Sequence, residues 1–361
     1  MKNTHFVTGG CGFVGRHLTA RIVRDGDSAW IVDDLSTGQN PSKWIESVAP
    51  GFELTKQEGL LSEYRNGDQT ITFVQADALP VFISETSATR PSPDLENIKL
   101  PDFHTVFHLA SIVGGRAMID GDPLKVGIDL GIDAAMFLWA SRPERKDRIG
   151  RIMYASSSAA YPIHLQAETT HIPLVEDYIS FDEKLGMPDM TYGWSKLTGE
   201  FLSRLAASKY GLHVGCIRPF SGYGEDQDLT YPTPSIALRI ARRDNPVEVW
   251  GTGEQGRDFV HIDDCVDAMY VILDNVKDGR GINVGTGELT SFNQLITAMA
   301  KEAGYEPEIK RLLDKPVGVA SRYAIVDTIL AMGWKPTITL EEGARRMVRH
   351  FEGKLNRGEI S

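Results

Sequence analysis

Cysteine is scarce in this chain. Cys11, Cys216 and Cys265 are the three in 361 residues, too few and too scattered for a disulfide framework or a zinc site, and suited to a reducing cytoplasm. Positive charge is also short: 38 Lys and Arg against 49 Asp and Glu leave a formal charge of −11. A surface that grips nucleic-acid phosphates is basic, so nucleic acid is not expected as a partner. No apolar run reaches the ~18 residues of a membrane span. The opening "MKNTHFVTGG" moves straight into a strand, with no apolar signal region behind a basic start. A cytoplasmic protein with no membrane partner and no bound metal is the expectation. What is present is ordinary for a soluble fold: 42% hydrophobic and 24% charged residues, enough for one large or two intimate domains.

The first half alternates short β-branched runs with helical stretches. "HFVT" leads into a helix over Phe13–Arg24; "WIVD", "ITFVQ", "TVFHLA" and "RIMYAS" follow as strands; helices fit about 123–141 and 191–210. That alternation predicts an α/β fold of Rossmann type, a doubly wound parallel sheet. After "HVGCIRP" the rhythm gives way to Pro- and Gly-rich loops and a short strand "VEVW". We therefore expect residues 1–219 to form a dinucleotide-binding domain that also receives parts of 258–290. Residues 220–361 would form a smaller, intertwined C-terminal α/β substrate-binding lobe. There is no internal repeat. Residues 35–70 and 80–101 are polar, irregular and long for loops, which marks them as functional or disordered segments.

"VTGGCGFVG" places Gly9, Gly12 and Gly15 between a strand and a helix. The chain turns sharply there, and backbone unshielded by Cβ atoms can approach a pyrophosphate at the helix N-terminus. "WIVDD" ends a second strand, with Asp33 placed 18 residues after Gly15. A carboxylate there accepts both ribose hydroxyls and repels a 2′-phosphate, favouring NAD over NADP. The other reading is a tight turn and a strand-end aspartate. "YGWSK" sets Tyr192 and Lys196 four residues apart on one helix face. A free phenol ionises near pH ~10, but an ammonium one turn away and a cationic nicotinamide favour the phenolate. "YASSS" brings serine hydroxyls to a strand's C-terminal edge, where open α/β sheets hold ligands. Alone, Tyr-x-x-x-Lys is more often a solvated surface pair than a catalytic one.

With "TGGCGFVG", "VDDLSTG", "FVQADALP", "VFHLAS", "YASSSAAYP", "YGWSK", "IRPFSGYG" and "GTGEQGRDFVHIDD", the chain resembles the extended short-chain dehydrogenases/reductases, the NAD-dependent nucleotide-sugar epimerase/dehydratase family, over nearly its whole length. The resemblance implies that Gly9, Gly12 and Gly15, with Phe13 and Val14, bind the NAD pyrophosphate. Asp33 and Asp34 would take the adenine ribose, and Asp77 and Ala78 the adenine. Leu109, Ala110 and Ser111 would line the cofactor, and Pro219 would pack on its nicotinamide end. Ser157 and Tyr192 would be catalytic, with Lys196 holding the nicotinamide ribose. Arg257 and Arg322 would grip the diphosphate of a nucleotide sugar, with Gly115, Arg116, Ser158 and Ser221 on the substrate side. Relatives pair as homodimers through a four-helix bundle, whose helices match about 123–141 and 191–210 here.

The resemblance also frames the reaction. Oxidation at the sugar C4 is the shared first step. Dehydratases of the family carry an Asp-Glu pair after the catalytic hydroxyl residue, decarboxylases a glutamate, and 3,5-epimerases a cysteine. Here Ser158 and Ala159 stand in those places. A 4-epimerase needs none of these groups, so elimination favours 4-epimerisation. The alternative is a 3,5-epimerase or 4,6-dehydratase drawing an acid/base from the 162–190 loop, which holds His164, Glu168, Glu176, Asp177, Asp182 and Glu183. "VFHLASIVGGRAMI" leans toward the 3,5-epimerase branch. The asparagine expected after "RPF" is Ser221, and the one on the helix near 129 is replaced by Asp129 or Leu130. A catalytically silent NAD-binding regulator is a third reading, opposed by the intact Ser157, Tyr192 and Lys196.

Overall fold

A computed structural model describes residues 2–86, 95, 98–112, 121–167 and 171–360. In chain order its principal elements are β1 (Thr4–Thr8), α1 (Phe13–Arg24), β2 (Ser28–Asp33), β3 (Glu53–Glu58), β4 (Leu61–Asn66), β5 (Gln69–Gln75), α2 (Ala78–Thr86) and β6 (Phe103–His108). Then come α3 (Ile128–Ser141), β7 (Ile149–Ala155), α4 (Met190–Tyr210), β8 (Val214–Pro219), α5 (Pro232–Ala241), α6 (Ile262–Asn275), β9 (Asp278–Val284), α7 (Phe292–Ala303) and α8 (Leu340–Asn356). The nine strands form one sheet in the order β9-β8-β7-β6-β1-β2-β5-β4-β3.

The core of the sheet is parallel, from β9 across to β5. Each strand there buries side chains on both faces, as a sheet covered by helices on both sides requires. Phe6 and Val7 point to opposite faces. Val7 joins Leu18, Ile31 and Ile272 under α1 and α6. Phe6 joins Val32, Phe82, Met136 and Trp139 under α2 and α3. A third cluster packs α5, α7 and α8 through Ile236, Leu295, Met299 and Phe351. The strand order reverses at β1: β2 lies on one side and β6 on the other. That switch point opens a crevice at the strands' C-terminal ends. Among the described residues, no helix is long and apolar enough to cross a membrane.

Residues 35–70 are not the irregular loop that the sequence suggests. They hold β3 and β4, an antiparallel pair that extends the parallel sheet at one edge. Tight turns with left-handed Gly59 and Gly67 join β3 to β4 and β4 to β5. All six residues of β3, "ELTKQE", are exposed. A charged, two-sided edge strand has no apolar alternation to announce it, and its charges discourage pairing with another sheet. The 80–101 stretch begins with the end of α2, and most of the rest lies outside the described residues.

Behind the strand ends, two opposite charges are fully buried. The Glu200 carboxylate on α4 accepts from Arg218 Nε and Nη2 at 2.8 and 2.7 Å, and from the Ser156 hydroxyl at 2.5 Å. Arg218 also donates to the Tyr161 hydroxyl (2.9 Å), which donates to Asn283 on β9 (2.7 Å). One group thus fastens α4, β7, β8 and β9. Removing one charge of such a pair strands the other in a water-free interior, so Glu200→Gln should destabilise the fold by about 3–5 kcal/mol. Urea unfolding of the variant beside the parent checks this.

Candidate active site

β1 delivers the chain to a turn that only glycine fits. Gly9 is left-handed, with φ of 68°, and a Cβ there would stand 3.0 Å from Ala110. A Cβ on Gly15 would lie 2.4 Å from the Gly9 carbonyl oxygen and 2.5 Å from Gly10 Cα. Gly12 caps α1 without a side-chain hydrogen bond, and the first turn carries no acid. The opening N–H groups of α1 therefore lack intrahelical acceptors and face outward with positive dipole.

A cavity of about 950 Å³ opens over this turn. Gly9, Gly12, Phe13, Val14, Gly15, Asp33, Asp34, Asp77, Ala78, Leu109, Ala110 and Ser111 line it, as do Ser157, Tyr192, Lys196 and Pro219. The expected cofactor and catalytic residues are thus brought to one space. The Asp33 carboxylate accepts from Cys11 N (2.9 Å) and Leu35 N (2.8 Å). Burial pushes its pKa up, against the pull of those two N–H groups. Asp77 is exposed and accepts from Leu79 N at 2.9 Å. Cys11 is buried in the glycine turn, and burial pushes its thiol up, so it serves as filler.

Ser157 follows β7 in extended backbone, and its hydroxyl accepts from Ala159 N at 3.1 Å. On α4, the Lys196 ammonium lies 5.7 Å from the ring centres of both Tyr192 and Tyr154. Burial works against that ammonium, but Tyr192, Asp133 and Asp129 outweigh it and the Lys196 pKa rises above the ordinary lysine value. Ammonium and phenol so arranged make a base for a carbinol proton.

The expected substrate residues fall in three groups. Ser221, Arg257 and Arg322 stand on short strands and are absent from the cavity lining. Ser221 N donates to the Asp258 carbonyl, and Arg257 and Arg322 are register partners on neighbouring parallel strands. Arg322 donates to Gln166 (2.5 Å) and to Asp189 (2.9 Å), three residues before Tyr192. Ser158 is buried and does not line the cavity. Gly115, Arg116 and, in the 162–190 loop, Glu168 lie outside the described residues.

Of the loop's described acids and bases, His164, Glu176, Asp177, Asp182 and Glu183 are absent from the cavity lining. Four residues the sequence reading missed do line it: Gln227, Asp228, Thr230 and Tyr231. The available signal was "TYPTP", prolines that mark a helix start, here the first turn of α5. The Glu200–Arg218 pair left no signal, because a buried ion pair reads in sequence as two surface charges.

The NAD dependent epimerase/dehydratase family model matches residues 5–285. The chain is 28% identical over 347 residues to a putative UDP-glucose 4-epimerase of Methanocaldococcus jannaschii, covering 95% of this chain and 96% of that one. It is 26% identical over 374 residues to a dTDP-glucose 4,6-dehydratase of Shigella flexneri, covering 97% and 93%. Its fold superposes on UDP-glucose 4-epimerase of Thermotoga maritima with a TM-score of 0.74 at 22% identity, over 98% of this chain and 99% of that one. The chain belongs to the NAD-dependent epimerase/dehydratase family, is an enzyme of that family, and uses NAD. The resemblance and the Rossmann-type fold expected from the sequence are both met.

The glycine turn fits that cofactor, since any Cβ at Gly15 would drive helix and turn apart. Gly15→Ala should cost at least tenfold in NAD affinity, a loss of about 1.4 kcal/mol or more, with the fold retained. Cofactor titration by calorimetry checks this.

Proposed function

We propose that the protein is a nucleotide-sugar 4-epimerase, with Tyr192 as its single acid/base. The observation that carries this reading is the segment after Ser157. Ser158, Ala159 and Ala160 are buried, and the two alanines bear no group able to move a proton. The described acids of the 162–190 loop do not reach the cavity to replace one.

Gly9, Gly12 and Gly15 would hold the cofactor pyrophosphate with the α1 N–H groups, Asp33 the adenosine ribose, and Lys196 the nicotinamide ribose. Bound NAD supplies a hydride acceptor that becomes a donor on the return. The Tyr192 phenolate takes the proton of the sugar C4 hydroxyl, while the Ser157 hydroxyl donates to the same oxygen and fixes it. The resulting ketone turns within the cavity, and Tyr192 gives its proton back to the C4 oxygen once the opposite face is presented. Arg257 and Arg322, adjacent in register, would grip the diphosphate and let the sugar rotate about it. Ser221, next to Phe220 in the cavity wall, sits where it would join them. The lobe after residue 220 is on this reading the substrate lobe.

A homodimer fits the outward face of α3 and α4. Leu138 on α3 and Met190, Trp194 and Phe201 on α4 are all exposed. The last three recur at four and seven residues, one helix face. The three buried, unpaired cysteines suit a cytoplasmic setting.

Incubation with a panel of nucleotide sugars in heavy water, read by NMR, tests the reaction. Inversion at C4 with no deuterium at C3 or C5 is the expected result. Deuterium at C5 would overturn the reading in favour of a dehydratase or 3,5-epimerase. Tyr192→Phe should lower kcat by roughly 10²–10⁴-fold while nucleotide-sugar binding persists. For the dimer, Leu138→Glu should give monomers in sedimentation equilibrium.

A further inference from the structure

Two short segments bring the expected catalytic groups to the cavity. One is the stretch after β7 that opens with Ser157, and the other is the first turn of α4, which carries Tyr192. They meet with no side chain between them. Asp189 N donates to the Ala159 carbonyl at 3.0 Å, and a Cβ on Gly193 would lie 2.4 Å from that same oxygen. Asp189 stands three residues before Tyr192, and Ala159 two after Ser157. Next to Asp189, Met190 is left-handed, with φ of 52°. A residue with a side chain keeps that conformation only where its surroundings fix it.

Arg322 reaches both segments from outside the cavity. Its Nη2 donates to the Asp189 carboxylate (2.9 Å) and its Nε to the Gln166 side-chain oxygen (2.5 Å). Gln166, buried like Asp189, passes the contact on. Its Nε2 donates to the carbonyls of Tyr161 and Pro162, both at 3.3 Å, which fixes the oxygen end of the amide toward Arg322. One guanidinium therefore joins the segment after Ser157 to the entry of the Tyr192 helix. The rigid, planar fork of arginine suits the task, because it meets two acceptors at once.

The strand that carries Arg322 is a firm mounting. It pairs with Gly256–Arg257, and Ala320 N donates to the Gln166 carbonyl at 3.1 Å. Leu174 N donates to the Tyr323 carbonyl and Ile325 N to the Leu174 carbonyl, both at 2.9 Å. Ala324 N donates to the buried Asp258 carboxylate at 3.2 Å.

We propose that Arg322, Asp189 and Gln166 are positioning residues, a clasp that sets the spacing between Ser157 and Tyr192. This rests on the part of the proposed function that makes those two the catalytic pair, and it gives Arg322 a duty beyond the diphosphate contact. A hydroxyl and a phenol that must meet one sugar oxygen tolerate little drift: a displacement of ~1 Å costs about 10²-fold in rate.

Asp189 does not line the cavity, so Asp189→Ala opens the clasp without removing a wall. In this variant kcat should fall about 10²-fold, while KM for the nucleotide sugar stays within about twofold, because geometry at the reacting oxygen is lost and binding is not. Adding Arg322→Met should lower kcat no further, since both changes break one link. Should Asp189→Ala fail to fold, Arg322→Lys replaces it. That variant keeps a cation for the diphosphate and loses the fork, so kcat falls with KM held. A KM that rises while kcat is kept, or kcat losses that multiply in the double variant, overturns the proposal.

A second measurement needs no turnover. In amide hydrogen exchange of the NAD-loaded enzyme, Arg322→Lys should speed exchange in peptides covering 157–166 and 189–196 together. A change confined to 320–325 overturns the clasp. The kinetic constants are taken for whichever reaction the sugar panel reveals, since C4 oxidation opens both 4-epimerisation and dehydration. A failure of the 4-epimerase reading is therefore seen apart from a failure of the clasp.

Discussion

One buried ion pair sets the geometry on which the site depends. Glu200 lies one turn beyond Lys196 on α4, so the pair reaches the same helix face that carries the ammonium. Arg218 immediately precedes Pro219, and Ser156 immediately precedes Ser157. The Glu200 carboxylate therefore ties the Tyr-Lys helix to the serine strand end and to the proline at the cavity wall. Such a pair adds little net stability, because both ions lose their hydration. Its contribution is registry: α4 cannot slide along the sheet without opening a charged contact in a dry interior.

A second cation joins the glycine turn to the loop that holds Asp226. Arg16, in the first turn of α1, does not point at the cofactor space. It donates to the Cys11 carbonyl (2.7 Å) and to the Asp226 carboxylate (2.7 Å). Asp226 lies beside Gln227 and Asp228, which line the cavity. The glycine turn is thus coupled to another loop of the cavity wall. The anion-binding capacity of the turn comes from backbone N–H groups and the helix dipole, and Arg16 is left to join two loops.

How much of this was legible depended on whether a residue's role is local. Gly9, Gly12, Gly15 and Asp33 announce themselves because the turn and the strand end impose spacing on the sequence. Tyr192 and Lys196 do so because a helix imposes a period. β1, β2, β5, β6 and β7 were legible from their short apolar, β-branched runs; β9, "DGRGINV", was not, because two glycines and two charges interrupt it. β3 and β4 were not, because β3 is an edge strand exposed on both faces and β4 beside it is mostly polar, with Tyr64 its one buried residue. Asp133, Glu200 and Arg218 were missed for a different reason. Their partners are 18 to 57 residues away along the chain, and no local pattern distinguishes a buried carboxylate from a solvated one. Asp129 drew notice only as a departure from the family pattern. Its link to Ser111 and Ile112 needed the fold.

On the 4-epimerase reading, the poverty of the segment after Ser157 is a requirement as much as an economy. A 4-keto sugar carries acidic hydrogens at C3 and C5, on either side of the carbonyl. Any carboxylate, thiolate or imidazole in reach of them would enolise the ketone, scrambling a neighbouring centre or expelling the C6 hydroxyl. A site that inverts C4 alone must therefore offer one proton acceptor at the C4 oxygen and inert walls elsewhere. Ala159 and Ala160, buried and without a titratable group, add no base beside the cavity. Beneath the strand ends, the buried charges of Glu200 and Arg218 neutralise each other. Selectivity for one carbon then depends on which groups face the ketone, because only a base in reach of a hydrogen can remove it.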